Sequence, residues 1–111
     1  MSDARLATGL WVAAYLHRLQ LAGLPAYVTA KGDPTAGAVL VKLALLDGTA
    51  RAYLRRYDFA QDARVWEVLI DGPEPEVDAA ITRQRSFDSD LWVVEVEDAK
   101  GRHLLDEDGL T

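Results

Sequence analysis

Apolar residues recur at three- and four-residue intervals from Leu10 to Ala22. Trp11, Val12, Tyr15, Leu16, Leu19 and Ala22 share one arc, which predicts an amphipathic helix. Thr8 is the expected N-cap, and Gly23 followed by Pro25 supplies the stop. The far side is less polar than solvent exposure favours, because Leu10, Ala14 and Leu21 lie there with Ala13, His17 and Gln20. Beyond Gly23 the period drops to two. Leu24–Lys31 reads as a short strand closed by Gly32-Asp33-Pro34. Arg64–Ile70 puts Trp66, Val68 and Ile70 on one face, and Leu91–Glu97 sets Trp92, Val94 and Val96 against Val93, Glu95 and Glu97. A second helix begins near Pro75, with Val77, Ala80, Ile81, Gln84 and Phe87 inward. Glu74, Glu76 and Asp78 at its start and Arg83 and Arg85 near its end suit the helix dipole.

The central stretch, Gly37–Tyr57, is an apolar hairpin around Asp47-Gly48, a pair that favours a two-residue type I′ turn. Such a turn sets Leu46 opposite Thr49 and Leu45 opposite Ala50. Val39, Val41, Leu43 and Leu45 then share a core face with Ala50, Ala52, Leu54 and Arg56. Leu40, Lys42, Ala44 and Leu46 share the open face with Thr49, Arg51, Tyr53 and Arg55. The expected fold is α+β: a single mostly antiparallel sheet of about five strands, with both helices on its apolar face. The order is helix, strand, hairpin, strand, helix, strand. Residues 1–111 form a single domain, in which His103-Leu104-Leu105 adds a short edge strand and residues 106–111 form a flexible acidic tail.

Charge narrows the partners. A formal net charge of −6 disfavours nucleic acid and anionic membranes. The absence of cysteine excludes disulfides, thiolate chemistry and Cys-ligated zinc. The run Gly9–Leu16 is short for a secretion signal, follows Asp3 and is broken by His17, Arg18 and Gln20. No stretch approaches the roughly 20 apolar residues of a membrane span. A cytoplasmic protein is expected.

Three stretches, Thr8–Leu16 (TGLWVAAYL), Ala36–Leu43 (AGAVLVKL) and Arg83–Asp98 (RQRSFDSDLWVVEVED), resemble one family of short, mainly alphaproteobacterial proteins, the domain of unknown function 1491. The resemblance runs from about Arg5 to Glu107 in the same order. It implies a bacterial, cytoplasmic domain that stands alone. It assigns no activity, so it carries over no functional residue.

Four groups of residues are candidates for chemistry. Lys42, Arg51, Tyr53 and Arg55 would form a basic-aromatic face suited to an anion or to single-stranded nucleic acid. Glu67, Glu95 and Glu97, on the polar parity of neighbouring strands, would neutralise that face in an ordinary charge ladder. Asp88, Asp90, Glu95 and Glu97 could hold a divalent metal, although no strand carries the acid-x-lysine triplet that such nucleases use. His17 and His103 lack a nucleophile partner, and His103 with Asp106 and Glu107 makes a poor metal set. Leu10, Ala14 and Leu21 are the expected homodimer contact, unless His103–Leu105 covers them. The reading that results is a non-enzymatic binding module for a protein or an anionic small molecule, with no cofactor and no metal. Its alternative is a small metal-dependent enzyme or nucleic-acid-processing factor.

Overall fold

A computed structural model describes residues 6–110, apart from the side chain of Tyr57. Residues 1–5, Thr111 at the end of the expected tail and the Tyr57 side chain lie outside the described set. The elements are α1 (Thr8–Leu21), β1 (Ala26–Ala30), β2 (Val39–Ala44), β3 (Thr49–Asp58), β4 (Ala63–Pro73), α2 (Glu74–Phe87) and β5 (Trp92–Glu97). They form an α+β fold around one five-stranded sheet in the order β1-β5-β2-β3-β4. Every strand pair is antiparallel except β2–β5, which is parallel because α2 carries the chain back across the sheet.

The helices do not share a face. Trp11, Val12, Tyr15 and Leu19 of α1 pack on Val39, Val41, Leu43, Trp92, Val94 and Val96. Val77 and Ile81 of α2 pack on Leu40, Ala50, Ala52, Leu91 and Val93. All six residues of β2 are therefore buried. The arrangement expected from the alternation, with one apolar face and one open face, fails at this strand because both of its parities are apolar enough to be covered.

The hairpin is also one step out of the expected register. Ala44 pairs with Ala50, Lys42 with Ala52 and Val41 with Tyr53. The Leu45 N–H donates to the Thr49 carbonyl, so the loop is Leu46-Asp47-Gly48 rather than two residues. Leu46 takes φ +64 and Gly48 φ +89, while the Asp47 carboxylate accepts the Thr49 N–H at 2.9 Å. This side-chain turn competes with the type I′ geometry. A one-residue slip moves every side chain of one strand to the other face. Arg51, Tyr53 and Arg55 consequently lie on the α1 side. Ala50, Ala52 and Leu54 lie under α2, where two alanines leave room for Val77.

Three local expectations also shift. The α1 N-cap is Ala7 and makes no side-chain cap; the carbonyls of Thr35 and Pro34 accept the Thr8 and Gly9 N–H groups, and Thr8 Oγ1 donates to the Gly37 carbonyl at 2.7 Å. A bulge in β4 at Leu69 separates Val68 from Ile70, so Ile70 faces α2 while Trp66 faces α1. Phe87, expected inward, is 81% exposed past the last covered turn of α2. The expected acidic tail is docked as far as it is described. Leu105 and Leu110 are buried in the α1-side core, Trp66 Nε1 donates to the Leu110 carbonyl at 3.1 Å, and Arg18 donates to the Asp108 carbonyl at 2.7 Å. Two leucines at that spacing outweigh the acids between them.

Loop 31–38 is held against the turn before β5. Asp33 N–H donates to the Asp90 carbonyl, and Trp92 Nε1 donates to the Asp33 carbonyl at 2.7 Å. A Cβ on Gly32 or on Gly37 would collide with the Asp90 carbonyl oxygen, a backbone atom that cannot turn aside. Gly37→Ala should therefore destabilise the protein by about 2–3 kcal/mol. Urea unfolding measures this; Gly23→Ala, where nothing lies near the new carbon and only the positive φ opposes it, should cost less.

Candidate functional site

The four residues expected to share a basic-aromatic face are divided between the two sides of the sheet. Lys42 stands alone on the α2 side. Its ammonium lies 2.7 Å from Glu74, 2.7 Å from Asp78 and 3.5 Å from Glu95, with only 6% of its side chain exposed. Glu74 and Asp78 are one turn apart on the first turns of α2, so the helix presents both carboxylates to one cation. Burial alone would pull the lysine pKa down, but hydrogen bonds to Asp78 and Glu74 and the charge of Glu95 outweigh it and lift the pKa above its ordinary value. Lys42 is an internal tie between helix and sheet.

Glu67 and Glu97 sit on the same side as Glu95. Glu67 lies 2.7 Å from Arg56, and Glu97 accepts the Tyr27 hydroxyl at 3.3 Å. The carboxylates thus pair as a ladder, but not with Arg51, Tyr53 or Arg55. Asp88 closes the turn after α2 by accepting the Asp90 N–H, at 3.0 Å. Among the described residues, no three His, Asp or Glu side chains gather as a metal-holding group.

On the α1 side, Arg51, Tyr53 and Arg55 form a row along β3. Arg51 lies 3.4 Å from Asp71 and donates to the Tyr53 hydroxyl at 3.2 Å. The Tyr53 ring is 4.7 Å from the ring of His103 and is buried by it. The Arg55 guanidinium lies over both the Trp11 and Trp66 rings, 4.9 Å and 5.3 Å from their centres, while the two indoles pack on each other with centroids 5.6 Å apart. These stacked rings fix the arginine and strengthen its hold by cation–π attraction.

Arg55 forms part of the wall of a cleft of about 750 Å³ at the end of the sheet where α1 begins. β3 and β4 run on past the start of β2, and their overhang supplies Arg55, Arg56, Arg64 and Phe59. The backbone of loop 35–39 and residues 6–8 form the opposite wall. No carboxylate lines it among the described residues. Phe59 is 88% exposed. The expected register placed Arg56 in the core, and Arg64 and Phe59 belonged to a strand start and a polar loop. A lone phenylalanine in such a loop, beside the tandem Arg55-Arg56, was the available signal.

A second groove of about 460 Å³ lies on the other side of Trp66, between Tyr53, His103 and Asp106, and shares Arg64 with the cleft. His103 anchors the C-terminal segment there: its Nδ1 accepts the Leu105 N–H at 2.9 Å, and its carbonyl accepts the Tyr15 hydroxyl at 2.8 Å. Burial, aided by Arg51 and opposed by Asp106, pushes the His103 pKa below its ordinary value.

Leu10, Ala14 and Leu21 are exposed on α1, and His103–Leu105 does not cover them but packs at the Tyr15 side of the helix. His17 is exposed on the same outer face. No helix among the described residues is long and apolar enough to cross a membrane.

The fold and its cleft define a small α+β domain with an arginine-lined end. Its family is clear from comparison: residues 6–106 match the family described as a protein of unknown function, DUF1491, and the chain belongs to it. A crystal structure of a DUF1491 family protein from Caulobacter crescentus CB15 is 43% identical, with 92% of this chain and 94% of that chain covered and a TM-score of 0.81. An NMR structure of a DUF1491 family protein from the same organism is 42% identical over 95% and 96%, with a TM-score of 0.81. The solution structure of protein Atu0922 from A. tumefaciens is 39% identical over 84% and 86%, with a TM-score of 0.71. No curated protein matches the chain.

Two outcomes follow from these geometries. Lys42→Met leaves three carboxylates facing one another and should cost about 2–3 kcal/mol; urea unfolding of the variant beside wild type measures this. For His103 the folded pKa is depressed, so its contribution is complete above the unfolded value of about 6.5 and falls away as the pH drops toward the folded value. Protonated Nδ1 can no longer accept the Leu105 N–H. Protection of the Leu105 amide, relative to its intrinsic exchange rate at each pH, should therefore fall on acidification through that window, and His103→Gln should flatten the change.

Proposed function

We propose that this chain is a non-catalytic binding module of the bacterial cytoplasm whose cleft beside α1 takes an anionic group of its partner. The observation that carries the reading is the cleft lining. Arg55, Arg56, Arg64 and an exposed phenylalanine border about 750 Å³ in a chain of net charge −6, with Arg56 also ion-paired to Glu67. Acids outnumber bases by half across the sequence, so three arginines gathered at one cleft favour an anion locally while the overall charge repels polyanions. Arg55 is pre-oriented by its two indoles, which lowers the entropy lost when it binds. A planar guanidinium held in place suits bidentate contact with a carboxylate or phosphate. Phe59, at the lip, offers apolar area to whatever bears that anion. The relatives from C. crescentus and A. tumefaciens support a bacterial setting.

The alternative, a metal-dependent enzyme or a nucleic-acid-processing factor, finds less support. Glu95 is committed to Lys42, Glu97 to Tyr27 and Asp88 to its own turn.

Titration of labelled protein with inorganic pyrophosphate tests the reading by amide shifts. Saturable shifts should appear at Ala7, Thr8 and Thr35–Val39, and Arg64→Glu should weaken binding about tenfold or more, the loss of one charge-assisted contact. Shifts confined to the Lys42 side of the sheet, or none at millimolar ligand, would overturn it.

A further inference from the structure

The outward face of α1 carries no formal charge. Leu10, Ala13, Ala14, His17, Gln20 and Leu21 are exposed there, with Leu10 and Leu21 at 62% and 75%. Arg18 stands at the margin and is turned toward the C-terminal segment, donating to the Asp108 carbonyl. α2, which also has 14 residues, exposes Glu76, Asp78 and Arg83 to solvent. In a chain with 27% charged residues, three turns of exposed helix without one are the mark of a surface that is covered.

We infer that a second copy of this chain covers it, with the two α1 helices packed antiparallel about a two-fold axis near positions 15 and 16. The stripe Leu10, Ala14, His17, Leu21 is spaced by four, three and four residues, which keeps it on one line of the helix. That spacing reads the same in both directions. An antiparallel pair centred on it sets Leu10 against Leu21 of the partner subunit and Ala14 against His17 of the partner subunit, the self-complementarity that a two-fold contact requires. Small side chains at positions 13 and 14 let the backbones approach at the crossing. Charge allows that occupant here: each copy carries −6, and two copies can approach closely only where the contact brings no charges together. The stripe is about 17 Å long and buries less than the roughly 800 Å² per partner of a standard interface, so the dimer dissociates on dilution. The contact lies along α1, clear of the arginine cleft at its end, and stands whether or not that cleft binds an anion.

Sedimentation velocity from micromolar to millimolar protein tests the association. The wild-type dimer fraction should rise with concentration, while Leu21→Glu stays monomeric with its melting temperature unchanged. The register is tested with single cysteines, since the chain has none of its own. Mixing Leu10→Cys with Leu21→Cys protein should give disulfide-linked heterodimer several-fold faster than either gives homodimer, because position 10 and its own symmetry mate are about 16 Å apart along the axis. A wild-type monomer at every concentration, a Leu21→Glu variant that still dimerises, or Leu10→Cys homodimers forming as fast as the mixture would each overturn the proposal.

Discussion

Strand β2 is the constraint on which the rest of the molecule depends. It is the middle strand of five, paired on both edges and covered on both faces, with all six residues buried. A strand so enclosed must be apolar throughout or must neutralise what is not. Here the exception is Lys42, and the reply is three carboxylates from α2 and β5. Removing a charge from water costs several kcal/mol, which its partners offset only when they are correctly placed. The ion cluster therefore specifies where α2 sits as much as it stabilises the sheet.

Coverage of both faces decides what lies outside. With α2 over Ala50, Ala52 and Leu54, the other parity of β3 turns its arginines and tyrosine toward α1 and the C-terminal segment. Tyr53 is absorbed by His103. Arg55 is held over the packed pair Trp11 and Trp66. Where β3 and β4 run past the end of β2, Arg55, Arg56 and Arg64 line the cleft, which results from unequal strand lengths.

The two helices show opposite economies of charge. α2 has acids at its start and arginines toward its end, and its polar face meets water. α1 has no acid in its first turn and no side-chain cap; loop carbonyls take its first N–H groups, and its outward face is uncharged. One helix is finished by solvent and the other by protein contacts on several sides. In α1 the polar groups of the backbone are satisfied tertiarily, so local capping rules cannot predict its start.

Periodicity alone determined the kind and order of the seven elements, since the 3.6- and 2-residue repeats arise from backbone geometry that neighbours do not alter, while the edge strand expected at His103-Leu104-Leu105 packs as irregular chain instead. It also marked the outward apolar stripe Leu10, Ala14, Leu21 and the inward Val77 of α2. Tertiary structure decided which face each strand turns to which helix. In β2 both parities are apolar, so the pattern supports either register, and a three-residue loop with Leu46 at positive φ resolved the choice by one step. That step separated Lys42 from Arg51, Tyr53 and Arg55, and the overhang of β3 and β4 set Arg55, Arg56 and Arg64 around one cleft. Likewise Leu105 and Leu110 dock because a core surface on α1 and β4 awaits them, which nothing within the acidic segment itself reveals.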